Sequence, residues 1–78
     1  MSLSENIIEE LTILTRYSLA TTQEGIKVHH TAPEETRAAI KRLFDKGLVS
    51  QDDGGYLTDL GIETAEHIQK AMIILNSK

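Results

Sequence analysis

Glu35-Thr36-Arg37-Ala38-Ala39-Ile40-Lys41-Arg42-Leu43-Phe44-Asp45-Lys46-Gly47-Leu48-Val49 is the stretch that decides the fold. Thr36, Ala39, Ile40, Leu43 and Phe44 recur at helical spacing and define one face, while Arg37, Ala38, Lys41, Arg42 and Asp45 define the other. Gly47 follows Lys46 where a left-handed cap ends a helix, and Leu48-Val49 continues as a strand. Upstream, Thr31 and Glu34 have capping-box spacing and Pro33 sits in the first turn, so the helix is expected from about residue 32 to 46.

Downstream, Leu48-Val49-Ser50-Gln51 and Tyr56-Leu57-Thr58 read as two short strands around Asp52-Asp53-Gly54-Gly55, whose glycines supply positive φ for a tight hairpin. Thr58 caps a last helix with Asp59 in its first turn. There Leu60, Ala65, Ile68, Met72 and Leu75 lie near one stripe, which Ile62, Ile73 and Ile74 widen until the end is apolar nearly all round. The N-terminal side predicts a helix over about 3–17, capped by a Ser2–Glu5 box or by Ser4, with Ile7, Ile8, Leu11, Leu14 and Ser18 on its apolar face. Between the helices two readings stand. Thr21 to Glu24 starts a short helix ending at Gly25, or Ser18 caps a single turn; either way Ile26-Lys27-Val28-His29 alternates as a short strand does.

The order helix, short element, helix, hairpin, helix resembles the winged helix-turn-helix regulators. The run from Leu43 to Val49 is similar to the end of their recognition helix and first wing strand, and Gly55 to Gly61 to their second wing strand entering the last helix. The whole chain also resembles a small proteobacterial family of about this length that is described as DNA-binding from its fold. The length of 78 residues implies one domain over 1–78, and the resemblance implies that it is mainly α with a small β-hairpin (α+β): three main helices plus a wing. Two departures stand out. Gly25, Ile26 and Val28 occupy the span of the helix that should precede the recognition helix, and the wing tip carries Asp52 and Asp53, which would repel a phosphate backbone.

Composition bounds the function. A chain of 78 residues buries only about 60% of its unfolded surface, so a partner subunit is a common source of added stability. There is no cysteine for a disulfide or thiolate metal site. The longest apolar run, Ala71 to Leu75, is five residues, and the first residues lack a signal-peptide pattern, so a cytoplasmic protein with no membrane partner is expected. The net charge is −4, unevenly spread: residues 27–46 carry five bases and three acids, a net of +2. The rest carries three bases and nine acids, a net of −6. Nucleic-acid binders are usually basic overall.

The leading expectation is a DNA-binding protein or transcription regulator that uses helix 32–46 as its recognition helix, with Lys27, His29, Arg37, Lys41 and Arg42 toward duplex DNA. Against it, these charges form an ordinary solvated face with Glu34–Arg37 and Lys41–Asp45 pairs. The alternative is a protein–protein interaction module on the same scaffold without DNA. A homodimer through the first and last helices, with Ile68, Met72, Ile73, Ile74 and Leu75 at its interface, is expected unless the core absorbs residues 71–75. Of the adjacent histidines His29 and His30, one is expected packed and one exposed. Glu63 and His67, four apart, are two ligands without a third. Asp52 to Gly55 lacks the remaining oxygens of a calcium loop. With no nucleophile elbow, Walker loop or dinucleotide fingerprint, neither enzyme activity nor a metal, cofactor or small-molecule substrate is expected.

Overall fold

A computed structural model describes residues 3–17, 19 and 25–77. Among them the order is α1 (Glu5–Leu14), β1 (Ile26–Lys27), α2 (Glu34–Asp45), β2 (Val49–Gln51), β3 (Gly54–Leu57) and α3 (Asp59–Asn76). The three strands form one antiparallel sheet in the order β1-β3-β2. The fold is therefore mixed α+β: three helices beside a small sheet. The expected short helix around Thr21 falls outside the described residues.

Local chemistry explains each boundary. Ser4 caps α1: its Oγ accepts the Ile7 amide at 3.2 Å, and the expected Ser2 cap lies outside the described residues. The helix stops at Leu14, three residues short of the expected end, with Thr15 as its C-cap. At α2 the Thr31–Glu34 box does not form. Pro33 is the N-cap, without a side-chain hydrogen bond, because a turn closed by Ala32 N–H to His29 O at 2.9 Å comes first. Glu34 and Glu35 then occupy the positive end of the helix dipole.

The other end of α2 follows expectation. Gly47 has φ +81°, its amide donates to Phe44 O and the Leu48 amide to Leu43 O, both at 2.9 Å. These two bonds make a Schellman motif, which turns the chain from α2 into β2.

The hairpin differs in one respect. Asp52 and Asp53 alone form the turn, between the paired Gln51 and Gly54. Gly54, at φ +126°, lies in β3 rather than in the turn. Any Cβ there would strike the Ile26 carbonyl, so the glycine is what lets β1 approach β3. The pairing slips between Val49 and Gln51, and the Ser50 hydroxyl accepts the Tyr56 amide at 2.9 Å in place of a ladder bond.

The core joins Ile13, Leu14 and Tyr17 to Ala39, Ile40 and Leu43 of α2, to Val49 and Leu57 of the sheet, and to Ala65 of α3. Thr58 anchors the start of α3 twice: its hydroxyl accepts the Gly61 amide at 3.1 Å and donates to Gly47 O at 2.6 Å. Gly61 is buried so closely against Leu48 O that a Cβ would collide with it. Gln69 ties α3 to the end of α1, its side-chain amide donating to Leu14 O at 3.4 Å and Tyr17 O at 3.0 Å.

Three amphipathic readings shift. On α1 the buried side is Glu10, Ile13 and Leu14, while Ile8 is half exposed. On α2 Phe44 turns outward. On α3 the inner face is Gly61 and Ala65, flanked by Ile62 and Ile68; Leu60, Met72 and Leu75 are exposed.

Candidate functional site

Glu10 is the polar residue the core encloses, with a side chain only 6% exposed. Its two oxygens take two cations from α2 and its cap: Arg42 Nε at 2.6 Å and Lys46 Nζ at 2.5 Å. The Arg42 guanidinium also donates to Asn6 O at 3.2 Å. Burial alone would raise the Glu10 pKa, but hydrogen bonds from Lys46 and Arg42 and their charges outweigh it and hold the carboxyl below its ordinary value. The triad clamps α1 to α2, and it overturns one expectation: Arg42 does not share the outward face of Arg37 and Lys41.

The remaining cations lie elsewhere. Lys27 of β1, His30, and Arg37 of α2 line a groove of about 370 Å³ floored by Val28 and Ile40 and bordered by Asp52 and Asp53. Lys27 also lines an adjoining groove, again about 370 Å³, with Arg16, His29 and Thr36. Both histidines are exposed, rather than one packed and one free. Arg37 forms no ion pair with Glu34; its Nε donates to Ala32 O at 3.0 Å, which holds the side chain over the approach to α2. Lys41 is exposed one turn further on, 3.3 Å from Asp45. Both partners of that pair are more than half exposed, so it contributes at most about 0.5 kcal/mol.

Four of the acids gather in a third, larger groove of about 570 Å³ between the first turns of α1 and α2. Glu5, Glu9, Glu34 and Glu35 line it, with Ile8 and Ala38 between them and Arg42 at its edge. Glu34 and Glu35 thus face a groove distinct from the one beside Lys27 and Arg37.

The chain belongs to the family of unknown function DUF5669. The family model matches residues 1–76. No curated protein matches the chain significantly, and no solved structure does. Membership brings no activity with it, so function rests on the side chains just described.

Of the residues expected to meet DNA, Lys27 lines one groove with Arg37 and the adjoining one with His29, Lys41 stays on the same helix as Arg37, and Arg42 leaves. Arg16, two residues past the end of α1, also lines this patch, and no local spacing marks it for that place. Of the expected dimer residues, Ile68 packs against the core, whereas Met72, Ile73, Ile74 and Leu75 are 46%, 70%, 62% and 77% exposed. The core therefore does not absorb the end of α3. No group of three metal-ligating side chains occurs among the described residues, and no helix there is long and apolar enough to cross a membrane.

Proposed function

We propose that this chain is a winged helix-turn-helix protein that binds duplex DNA through α2 and β1. The order of elements and the β1-β3-β2 sheet fit that fold, with α2 as recognition helix and the β2–β3 hairpin as wing. The observation that carries the reading is charge segregation. Arg16, Lys27, His29, His30 and Arg37 line two adjoining grooves beside α2, while Glu5, Glu9, Glu34 and Glu35 are drawn into a separate one. A chain with a net charge of −4 thereby gathers Arg16, Lys27 and Arg37 on one side of α2, where Asp52 and Asp53 offset part of their charge. Such cations contact phosphates, and Arg37 with Lys41 offers donors toward base edges. The role is regulatory binding rather than catalysis, in the cytoplasm.

Anisotropy with a random-sequence duplex at increasing salt tests it. Three to four phosphate contacts imply that log K falls against log salt with a slope of about −3. Lys27→Ala and Arg37→Ala should each lower the slope's magnitude by about one. Absence of binding at about 20 mM salt would end the proposal.

One observation favours a second reading, a protein-interaction module on the same scaffold. Asp52 and Asp53 border the groove of Lys27 and Arg37 and would meet phosphates unfavourably. If Asp52→Asn/Asp53→Asn creates DNA binding that the wild type lacks, this second reading holds.

A further inference from the structure

The outer face of α3 has no partner among the described residues. Leu60, Thr64, His67, Ala71 and Ile74 follow one another at intervals of four, three, four and three residues, the spacing of a helix seam that packs on another helix. They flank the face that buries Gly61 and Ala65. Leu60 is 54% and Ile74 62% exposed, His67 and Ala71 are exposed, and Thr64 is half-buried. The Thr64 hydroxyl already donates to Leu60 O at 2.8 Å, so covering it strands no donor. Along one edge of this seam stand Glu63 and Lys70, seven residues apart. Both are exposed, and neither has an ion-pair partner among the described residues.

We propose that this face receives α3 of a second copy, antiparallel, across a two-fold axis. Charge complementarity selects that occupant and register. When each Glu63 faces Lys70 of the other copy, Leu60 packs on Ala71 of the other copy and Thr64 lies beside its His67. The pattern is self-complementary, as a two-fold interface requires. A parallel pair would set Glu63 and Lys70 against Ile68 and Leu75 and leave both charges unpaired. Of the residues first expected at a dimer interface, Ile74 sits in the seam and Ile68 and Leu75 border it; Met72 and Ile73 point elsewhere. The proposal does not depend on DNA binding. Four to five turns of helix bury less than a standard interface, so a dissociation constant on the order of 100 µM is expected.

Sedimentation equilibrium of the full chain from about 10 µM to about 1 mM tests it. The wild type should pass from 8.7 kDa to twice that mass. Glu63→Lys and Lys70→Glu, each converting two attractions into repulsions, should each weaken association about tenfold. The double variant E63K/K70E should return it to within about threefold of wild type, since the pairs re-form with their signs exchanged. His67→Leu, which removes a polar group from the seam, should tighten association about tenfold. All three positions are exposed, so circular dichroism should show an unchanged fold. A monomer at 1 mM, a double variant no better than the singles, or an indifferent His67→Leu overturns the proposal.

Discussion

Replacing Glu10 by glutamine keeps the side chain's shape and removes its charge. Glu10 receives short hydrogen bonds from Arg42 and Lys46, and bonds to charged groups contribute about 1.5–3 kcal/mol each. Glutamine keeps one acceptor and turns an N–H₂ toward a cation. Breaking a buried ion pair costs about 3–5 kcal/mol when the orphaned partner stays buried. Here the partners' side chains are 30% and 47% exposed and reach water, which reduces the loss to about 2–3 kcal/mol. For a domain of this size that lowers Tm by about 10–20 °C.

The pH dependence supplies a second check. The native Glu10 pKa lies below its ordinary value, so on acidification the unfolded chain takes up this proton first. The stabilisation is complete above the unfolded carboxylate pKa of about 4.3 and disappears as pH falls through the lower native value. Urea unfolding of both proteins from pH 7 to about pH 2 measures it, and the other carboxylates cancel in the difference. The gap should be full at pH 7 and close toward pH 2. A gap under about 0.5 kcal/mol at pH 7, or one that persists unchanged to pH 2, would refute the clamp.

Three further outcomes are expected from urea titrations at pH 7. Gly47→Ala meets no neighbour within 4 Å but must hold φ near +81°, so it should cost about 1–2 kcal/mol through backbone strain alone. Gly61→Ala should cost about 1–3 kcal/mol although alanine favours helix, because its Cβ strikes Leu48 O, which the Thr58 amide already holds at 3.1 Å. Thr58→Ala removes the α3 cap and the bond to Gly47 O and should cost about 1–2 kcal/mol.

Short-range chemistry was legible in the chain itself. The Gly47 cap, the Thr58 cap and the hairpin at Asp52-Asp53 each depend on residues within a few positions of one another, so spacing alone predicts them, whereas the alternation at Ile26-Lys27 becomes a strand only by pairing with Gly54 and Gly55. Periodicity likewise located Ala39, Ile40 and Leu43 in the core. What sequence could not show was the direction of side chains whose partners lie far along the chain. Glu10 and Arg42 are 32 positions apart and Glu10 and Lys46 are 36 apart. A polar Glu10 therefore turns inward on α1, and Arg42 turns away from the Arg37 side of α2 to meet it. The basic group beside α2 has the same character: Arg16, Lys27 and Arg37 come from three elements and meet only when β1 pairs with β3 beside α2. Local propensity determined the type and approximate place of the helices and strands, while α1 and α2 begin two residues later and α1 ends three residues earlier than it indicates. Tertiary packing alone decided which charges are spent holding the fold and which remain free to meet a partner, because ion pairing acts through space and not along the chain.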